Sequence, residues 1–346
     1  MNSFNIGQIE VNEGSAPVII AEIGINHGGS LSEAIKIAES AIQAGAQIIK
    51  HQTHIVEDEM SQAATKVVPG NSDKSIYEII SECALNEEDE RSLMDFVKSK
   101  GAEFISTPFS RAAVHRLIKF DVPAFKIGSG ECNNYPLVDL IARQGKPVIL
   151  STGMNSIESV RKSVEILEMH KVPFALLHTT NLYPTPHHLV RLGGMLELKE
   201  NFPSALVGLS DHTVDNFACF AATALGASVL ERHFTDSMTR QGPDIVNSMD
   251  PAACEELVRG TRIIKSECGG SKSYVPEEQV TMDFAFATVV SIRPIRKGET
   301  FTEENIWVKR PGTGDFSAEM FTKILGQRAD REIPHDTHLK KDDISN

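Results

Sequence analysis

Eight times between residues 16 and 266 a short apolar run gives way to an amphipathic segment, and that alternation restricts the fold more than anything else in the chain. The first pair is "APVIIAEIG" followed by "SLSEAIKIAESAIQAG". The second is "QIIKHQTH" followed, after a long loop, by "NEEDERSLMDFVKSKG". Six more runs, "AEFISTPF", "PAFKIGSG", "KPVILSTG", "PFALLHTTN", "ALVGLSDH" and "ASVLERHF", each lead into a helical stretch, the last being "DPAACEELVRGTRIIKS". Runs of this length read as strands, and apolar residues at a 3.6-residue period read as helices. Eight such units ending near Lys265 predict a (β/α)8 TIM barrel, a fold of about 250 residues. A doubly wound open sheet is the alternative.

The ends of the runs favour the barrel. Each turns polar at its C-terminal end, where Glu22, Lys50, His51, Gln52, Thr107, Lys126, Ser129, Ser151, Thr152, Asn181, Ser210, His212, Glu231 and His233 lie. A parallel barrel gathers those ends around one mouth, so these residues are expected to converge. An open sheet would spread them over two edges and a crevice.

After Cys268 the texture changes. "GGSKSYVPEEQVTMD" lacks apolar periodicity and reads as a linker. From about Phe284 onward a compact β-rich module of some 60 residues is predicted, with turns at Lys297-Gly298 and Pro311-Gly312. A core that small is expected to lean on another surface.

Composition excludes several classes of partner. Thirty-four Lys and Arg against forty-seven Asp and Glu leave a net charge of −13, which disfavours nucleic acid and anionic membrane. Any anionic ligand must find a local positive pocket. The five cysteines are odd in number, scattered and without a C-x-x-C pair, so neither a disulfide framework nor a zinc knuckle is expected. No signal peptide and no membrane span are read from the sequence, and a cytoplasmic protein is expected.

Within the polar rim, His212 and His233 end neighbouring strands, whose side chains sit roughly 5 to 7 Å apart given a spacing of about 4.8 Å. Two imidazoles at that separation can share a divalent metal; two unrelated polar caps are the plainer reading. Lys50 and Lys126 follow apolar strand residues. A lysine there grips phosphate or carboxylate, forms a Schiff base, or snorkels out of the core. "GSGECNN" offers two glycines whose backbone can approach an anion, then presents Glu131 as an acid/base candidate by position alone. Ser151, Asn181 and Ser210 add donors, and Tyr183 lies in a proline-stiffened loop that lines a sugar site or merely packs.

Taken together, "EIGINHGGSL", "KHQTHIVEDEMS", "STPFSRAA", "KIGSGECNNYPL", "LSTGMNS", "NLYPTP", "GLSDHT", "LERHFT" and "VKRPGTGDFS" closely resemble the bacterial sialic acid synthases, or N-acetylneuraminate synthases, from about Ile19 to the C-terminus. The resemblance implies a (β/α)8 barrel over residues 1–267, a linker over 268–283 and a C-terminal antifreeze-like (SAF) domain over 284–346. It also implies a homodimer whose small domain covers the partner's barrel mouth. The implied reaction condenses phosphoenolpyruvate, N-acetylmannosamine and water into N-acetylneuraminate and phosphate.

By the same resemblance His212 and His233 hold a divalent metal, manganese first, with magnesium or cobalt as alternatives. Lys50, Thr107, Lys126, Ser129, Ser151, Asn181 and Ser210 surround phosphoenolpyruvate. Glu22, Gln52, Asn71, Tyr183, Asp244, the lid residue Phe284 and the partner-lent Arg310 surround the sugar. Glu131, with Glu22, Lys50 and Lys126, makes up the implied catalytic set. Three rival functions stay open: a legionaminate or pseudaminate synthase acting on a 6-deoxy diacetamido sugar, a Schiff-base aldolase using Lys126, and a non-enzymatic sugar- or ice-binding module. "KHQTHIVEDEM" and "PGNSDKSIYEI" look more like the N-acetylneuraminate branch.

Overall fold

The computed structural model describes residues 2–68 and 73–345. All eight apolar runs are strands, and two further strands precede them. β1 (Ser3–Ile6) and β2 (Ile9–Asn12) form an antiparallel hairpin that the periodicity did not suggest. Gly7 turns it at φ +57°, a left-handed conformation that favours glycine. The barrel strands are β3 (Val18–Glu22), β4 (Ile48–Thr53), β5 (Glu103–Pro108), β6 (Phe125–Ile127), β7 (Val148–Ser151), β8 (Phe174–Thr179), β9 (Leu206–Asp211) and β10 (Val229–His233). They pair in chain order, all parallel, and β10 closes on β3. The open sheet is thereby excluded and the (β/α)8 barrel stands.

Two apolar layers follow from the period-two alternation of strand side chains. Inward residues such as Ile20, Ile48, Ile105, Ile149, Leu177 and Val229 fill the barrel and pack with Phe4, Ile6 and Val11 of the hairpin. Each fully buried aliphatic or aromatic side chain contributes about 1.5–3 kcal/mol, so the hairpin belongs to the core of the barrel. Outward residues meet the helices. In the helix Leu31–Gln43 the buried positions Ala34, Ile37, Ala38 and Ala41 fall on one stripe, and Ser30 caps its start by accepting from Glu33 N. Asn86 caps Glu87–Ser99, whose first turn carries Glu87, Glu88, Asp89 and Glu90 where the helix dipole favours negative charge. Asp250 caps the last barrel helix, Pro251–Glu267.

The chain divides into two compact units, Met1–Gly269 and Gly270–Asn346. In the second, a 3-10 turn at Pro276–Glu278 and a short helix at Gln279–Ala285 occupy part of the stretch read as linker. β11 (Thr288–Ser291) and β12 (Ile306–Lys309) then pair antiparallel. Val289, Ile295, Phe301, Ile306, Ile324, Ala329, Ile333 and Leu339 form the core of this unit. Among the described residues no helix is long and apolar enough to cross a membrane.

Candidate active site

The polar strand ends surround a cavity of about 360 Å³ at the C-terminal face of the barrel. Parity decides who enters it. Counting from Lys50 on β4, residues 50, 52 and 54 face the cavity. His51 and Thr53 instead face outward, where both bond to the fully buried Glu90, whose other oxygen lies 3.0 Å from Arg116 Nη1. His51 therefore does not join the mouth as expected, and neither does Thr152, whose hydroxyl donates to Leu177 O. Both lie one residue out of phase with the inward set.

The two lysines are held as a charge cluster. Register places Glu22 beside Lys50, and Lys50 Nζ forms a close ion pair with Glu22 and lies 3.7 Å from Glu231. Lys126 Nζ donates to Ser151 Oγ at 2.7 Å and lies 3.8 Å from the same Glu231. Burial works against both charges. For Lys50 the two carboxylates outweigh it and its pKa rises, whereas Lys126 is brought down to about 8 because burial exceeds the help from Glu231. Glu231 stays ionised, since the two ammoniums overcome its own burial. Lys50 and Lys126 against Glu22 and Glu231 make the cluster neutral, and two ammoniums are at hand for an entering anion.

Donors complete that end of the cavity. Thr107 Oγ1 accepts from Lys50, Ser210 Oγ donates to Glu231, and Ser129 Oγ accepts from Gly153 N. A Cβ on Gly153 would lie 1.9 Å from Asn181 Oδ1 and 2.9 Å from Ser129 Oγ, so glycine is what lets those side chains meet. Asn181 Oδ1 is buried and has no hydrogen-bond partner among the described residues, so it is an acceptor available to the cavity.

His212 and His233 come together, with ring centroids 5.4 Å apart and planes at 55°. Burial, reinforced for His212 by the other imidazole, lowers each pKa to about 4, so both rings are neutral at working pH. His212 Nδ1 donates to Thr180 O at 2.9 Å, which leaves its Nε2 lone pair free, and buried His233 Nδ1 has no hydrogen-bond partner. Neutral imidazoles with uncommitted nitrogens suit a divalent metal. No cluster of three or more metal-binding side chains is found among the described residues, so substrate or water would supply the remaining coordination. Tyr183 lies over His212 at 4.2 Å, and Asp244 Oδ2 approaches His233 Nδ1 at 3.5 Å.

Gln52 lines the cavity and donates to Glu22 Oε1 at 3.0 Å, whereas Glu22 itself is not among the lining residues. Other expected residues lie farther off. Glu131, on the 3-10 turn after β6, accepts from Asn134 Nδ2 at 2.6 Å and is not part of the cavity lining. Burial nonetheless raises its pKa, against that bond. Phe284 and Arg310 are exposed on the second unit. Asn71 lies outside the described residues.

Three polar lining residues carry no role that the sequence suggests. Glu231 was placed at the mouth but not between the lysines. His54 and Glu59 were not singled out, yet His54 bonds Glu59 at 2.8 Å and Gln52 Oε1 at 3.0 Å and stacks on Phe109 at 4.5 Å. The parity count from Lys50 would have found His54.

Comparison with known proteins gives the family of the chain. The NeuB family profile matches residues 37–273, and the SAF domain profile matches 286–345. An uncharacterised protein of Methanocaldococcus jannaschii is 37% identical, covering 99% of this chain and 97% of its own. The N,N'-diacetyllegionaminic acid synthase of Campylobacter jejuni is 33% identical, covering 94% of this chain and 99% of its own. Among solved structures, the N-acetylneuraminic acid (sialic acid) synthetase of Leptospira borgpetersenii superposes with a TM-score of 0.74 at 28% identity, over 81% of this chain and 95% of that one.

Proposed function

The chain belongs to the NeuB family of synthases, and on that premise we propose that it condenses phosphoenolpyruvate with N-acetylmannosamine and water to give N-acetylneuraminate and phosphate. One observation carries the reading: two buried ammoniums and two neutral imidazoles share a single cavity. An anion and a polarised carbonyl can meet there.

Lys50 and Lys126 offset the phosphate and carboxylate charge, while Thr107, Ser129, Ser151, Asn181 and Ser210 orient those groups. Glu22 and Gln52, with Tyr183 and Asp244, offer acceptors and donors to the sugar hydroxyls. A divalent cation held by His212 and His233, manganese by preference, would supply Lewis-acid polarisation of the open-chain aldehyde. Carbon 3 of phosphoenolpyruvate bonds to the aldehyde carbon, and water then adds at carbon 2 before phosphate leaves. The proton lost by water balances the one gained by the new alkoxide. Glu131 does not line the cavity but directly follows the lining residues Ser129 and Gly130, and it is the carboxylate proposed to take up that proton through an intervening water. A cytoplasmic location fits five free thiols and this cosubstrate.

A 6-deoxy diacetamido sugar is the second reading, favoured by the likeness to the legionaminic acid synthase. Mass spectrometry of products from phosphoenolpyruvate with each sugar separates the two. The condensation product of N-acetylmannosamine is expected in excess. Product from the diacetamido sugar alone would reverse the assignment, and phosphate release without any sugar would refute both.

Arg310 is proposed to reach the sugar from the partner subunit of a homodimer. Arg310→Ala should raise the KM for sugar by about tenfold or more while leaving that for phosphoenolpyruvate nearly unchanged. In mixed dimers that pair this variant with His233→Ala, one site with the wild-type sugar KM should survive; if the surviving activity shows only the raised sugar KM, the arginine acts in cis.

A further inference from the structure

On β9 and β10 the residues that point away from the cavity form a unit of their own. Ser210, His212, Glu231 and His233 line the cavity, whereas Asp211 and Arg232, between them in sequence, pair outside it. Arg232 is among the largest fully buried side chains of the protein. Its Nη1 donates to Asn216 Oδ1 at 2.7 Å, its Nη2 donates to Thr213 O at 2.6 Å, and its Nε lies 3.5 Å from Asp211 Oδ2. Asp211 in turn accepts from Thr213 N at 3.0 Å and from Thr213 Oγ1 at 2.8 Å. Asn216 is fixed by donating to Ala253 O and Glu256 Oε2. His212 is thus flanked by two residues tied to one guanidinium, and that guanidinium belongs to the residue just before His233.

We propose that Arg232, acting with Asp211, is the positioning residue of the two-imidazole site, locking the backbone around His212 to β10 so that both rings face one ion. The proposal rests on the reading of His212 and His233 as metal ligands. With only two protein ligands, affinity depends on both lone pairs meeting the same cation. Loosening the 212–216 loop would move His212 and leave His233 in place. Stability alone is a weak reason to bury such a pair, since well-packed apolar residues often replace buried ion pairs without loss. A planar guanidinium that bonds two separate loop positions is, by contrast, well suited to hold geometry.

The test is Mn2+ titration of metal-free protein, followed by electron paramagnetic resonance, for wild type, Arg232→Met, Arg232→Lys and the His212→Ala/His233→Ala control. Arg232→Met should lose about ten- to a hundredfold in Mn2+ affinity, the range typical for partners of metal ligands. Phosphoenolpyruvate affinity, measured calorimetrically without metal, should change by less than about twofold, because its proposed ligands make no contact with Arg232. Raising Mn2+ should restore much of the lost turnover, which a general folding defect would not allow. Arg232→Lys keeps a charge near Asp211 but cannot span both Thr213 and Asn216, so it should shift in the same direction if the methionine variant does not fold. Wild-type Mn2+ affinity in either folded variant overturns the proposal. Loss of cooperative unfolding in both assigns Arg232 to the fold and overturns it too. If wild-type protein fails to bind Mn2+, or the histidine control binds it equally well, the metal reading fails instead.

Discussion

Replacing His212 and His233 together by alanine should abolish metal-dependent turnover, with kcat lower by about 10³-fold or more, while the barrel still folds. The magnitude follows from removing a Lewis acid that is worth several kcal/mol in the transition state. Each single variant should cost nearly as much as the pair, because one remaining imidazole is a poor chelate and groups that act as a unit are not additive. Folding should suffer little. The rings line a cavity, and His212 gives up one hydrogen bond to Thr180, a loss of about 1 kcal/mol. Undiminished activity in the double variant would end the metal assignment.

The same rings make a prediction about acid that needs its sign worked out. Both stay neutral in the fold down to about pH 4, whereas an unfolded histidine takes up its proton near its ordinary value of 6.5. Between those values the unfolded chain binds more protons, so wild-type stability falls as the pH drops through that window. The double alanine variant should show a shallower decline.

Why those two rings could be found from sequence, and others could not, comes down to parity and packing. An apolar run followed by a polar end and an amphipathic helix is dictated by a parallel strand buried on both faces, so all eight units were legible. A polar residue at a strand end faces the mouth or the helices according to the alternation, and His51 and Thr152 fall on the helix side for that reason. The hairpin β1–β2 is not legible because its strands, unlike the continuously apolar β6 and β7, alternate buried with exposed residues over only four positions and lead into no helix; its Gly7 turn is the available cue. Glu231 could be placed at the mouth, but its post between Lys50 and Lys126 depends on strands far apart in sequence. Arg232 is the extreme case. Nothing in "LERHF" separates an arginine buried against Asp211 from one on the surface.

Lys126→Met should reduce kcat/KM for phosphoenolpyruvate by about 10³-fold, in line with removing one preorganised charge from a water-poor site. Counting charges explains why. Lys50 and Lys126 face Glu22 and Glu231, and loss of one ammonium turns a neutral cluster into one of net −1, which repels the anion it must admit. The variant should still fold, since methionine fills nearly the same volume and Glu231 keeps Lys50 at 3.7 Å. The wild-type pH profile carries a second signature. Burial brings Lys126 down to about 8, so the free enzyme loses that charge as the pH rises through this value and phosphoenolpyruvate KM should climb there. In Lys126→Met the limb near pH 8 should be absent, the KM already being high. Borohydride with pyruvate should trap no adduct on wild-type protein, because the lysine acts here as a charge and not as a Schiff-base nucleophile. A methionine variant with unchanged KM and an unaltered alkaline limb would remove Lys126 from the anion site, and a trapped adduct at Lys126 would replace the condensation chemistry with that of an aldolase.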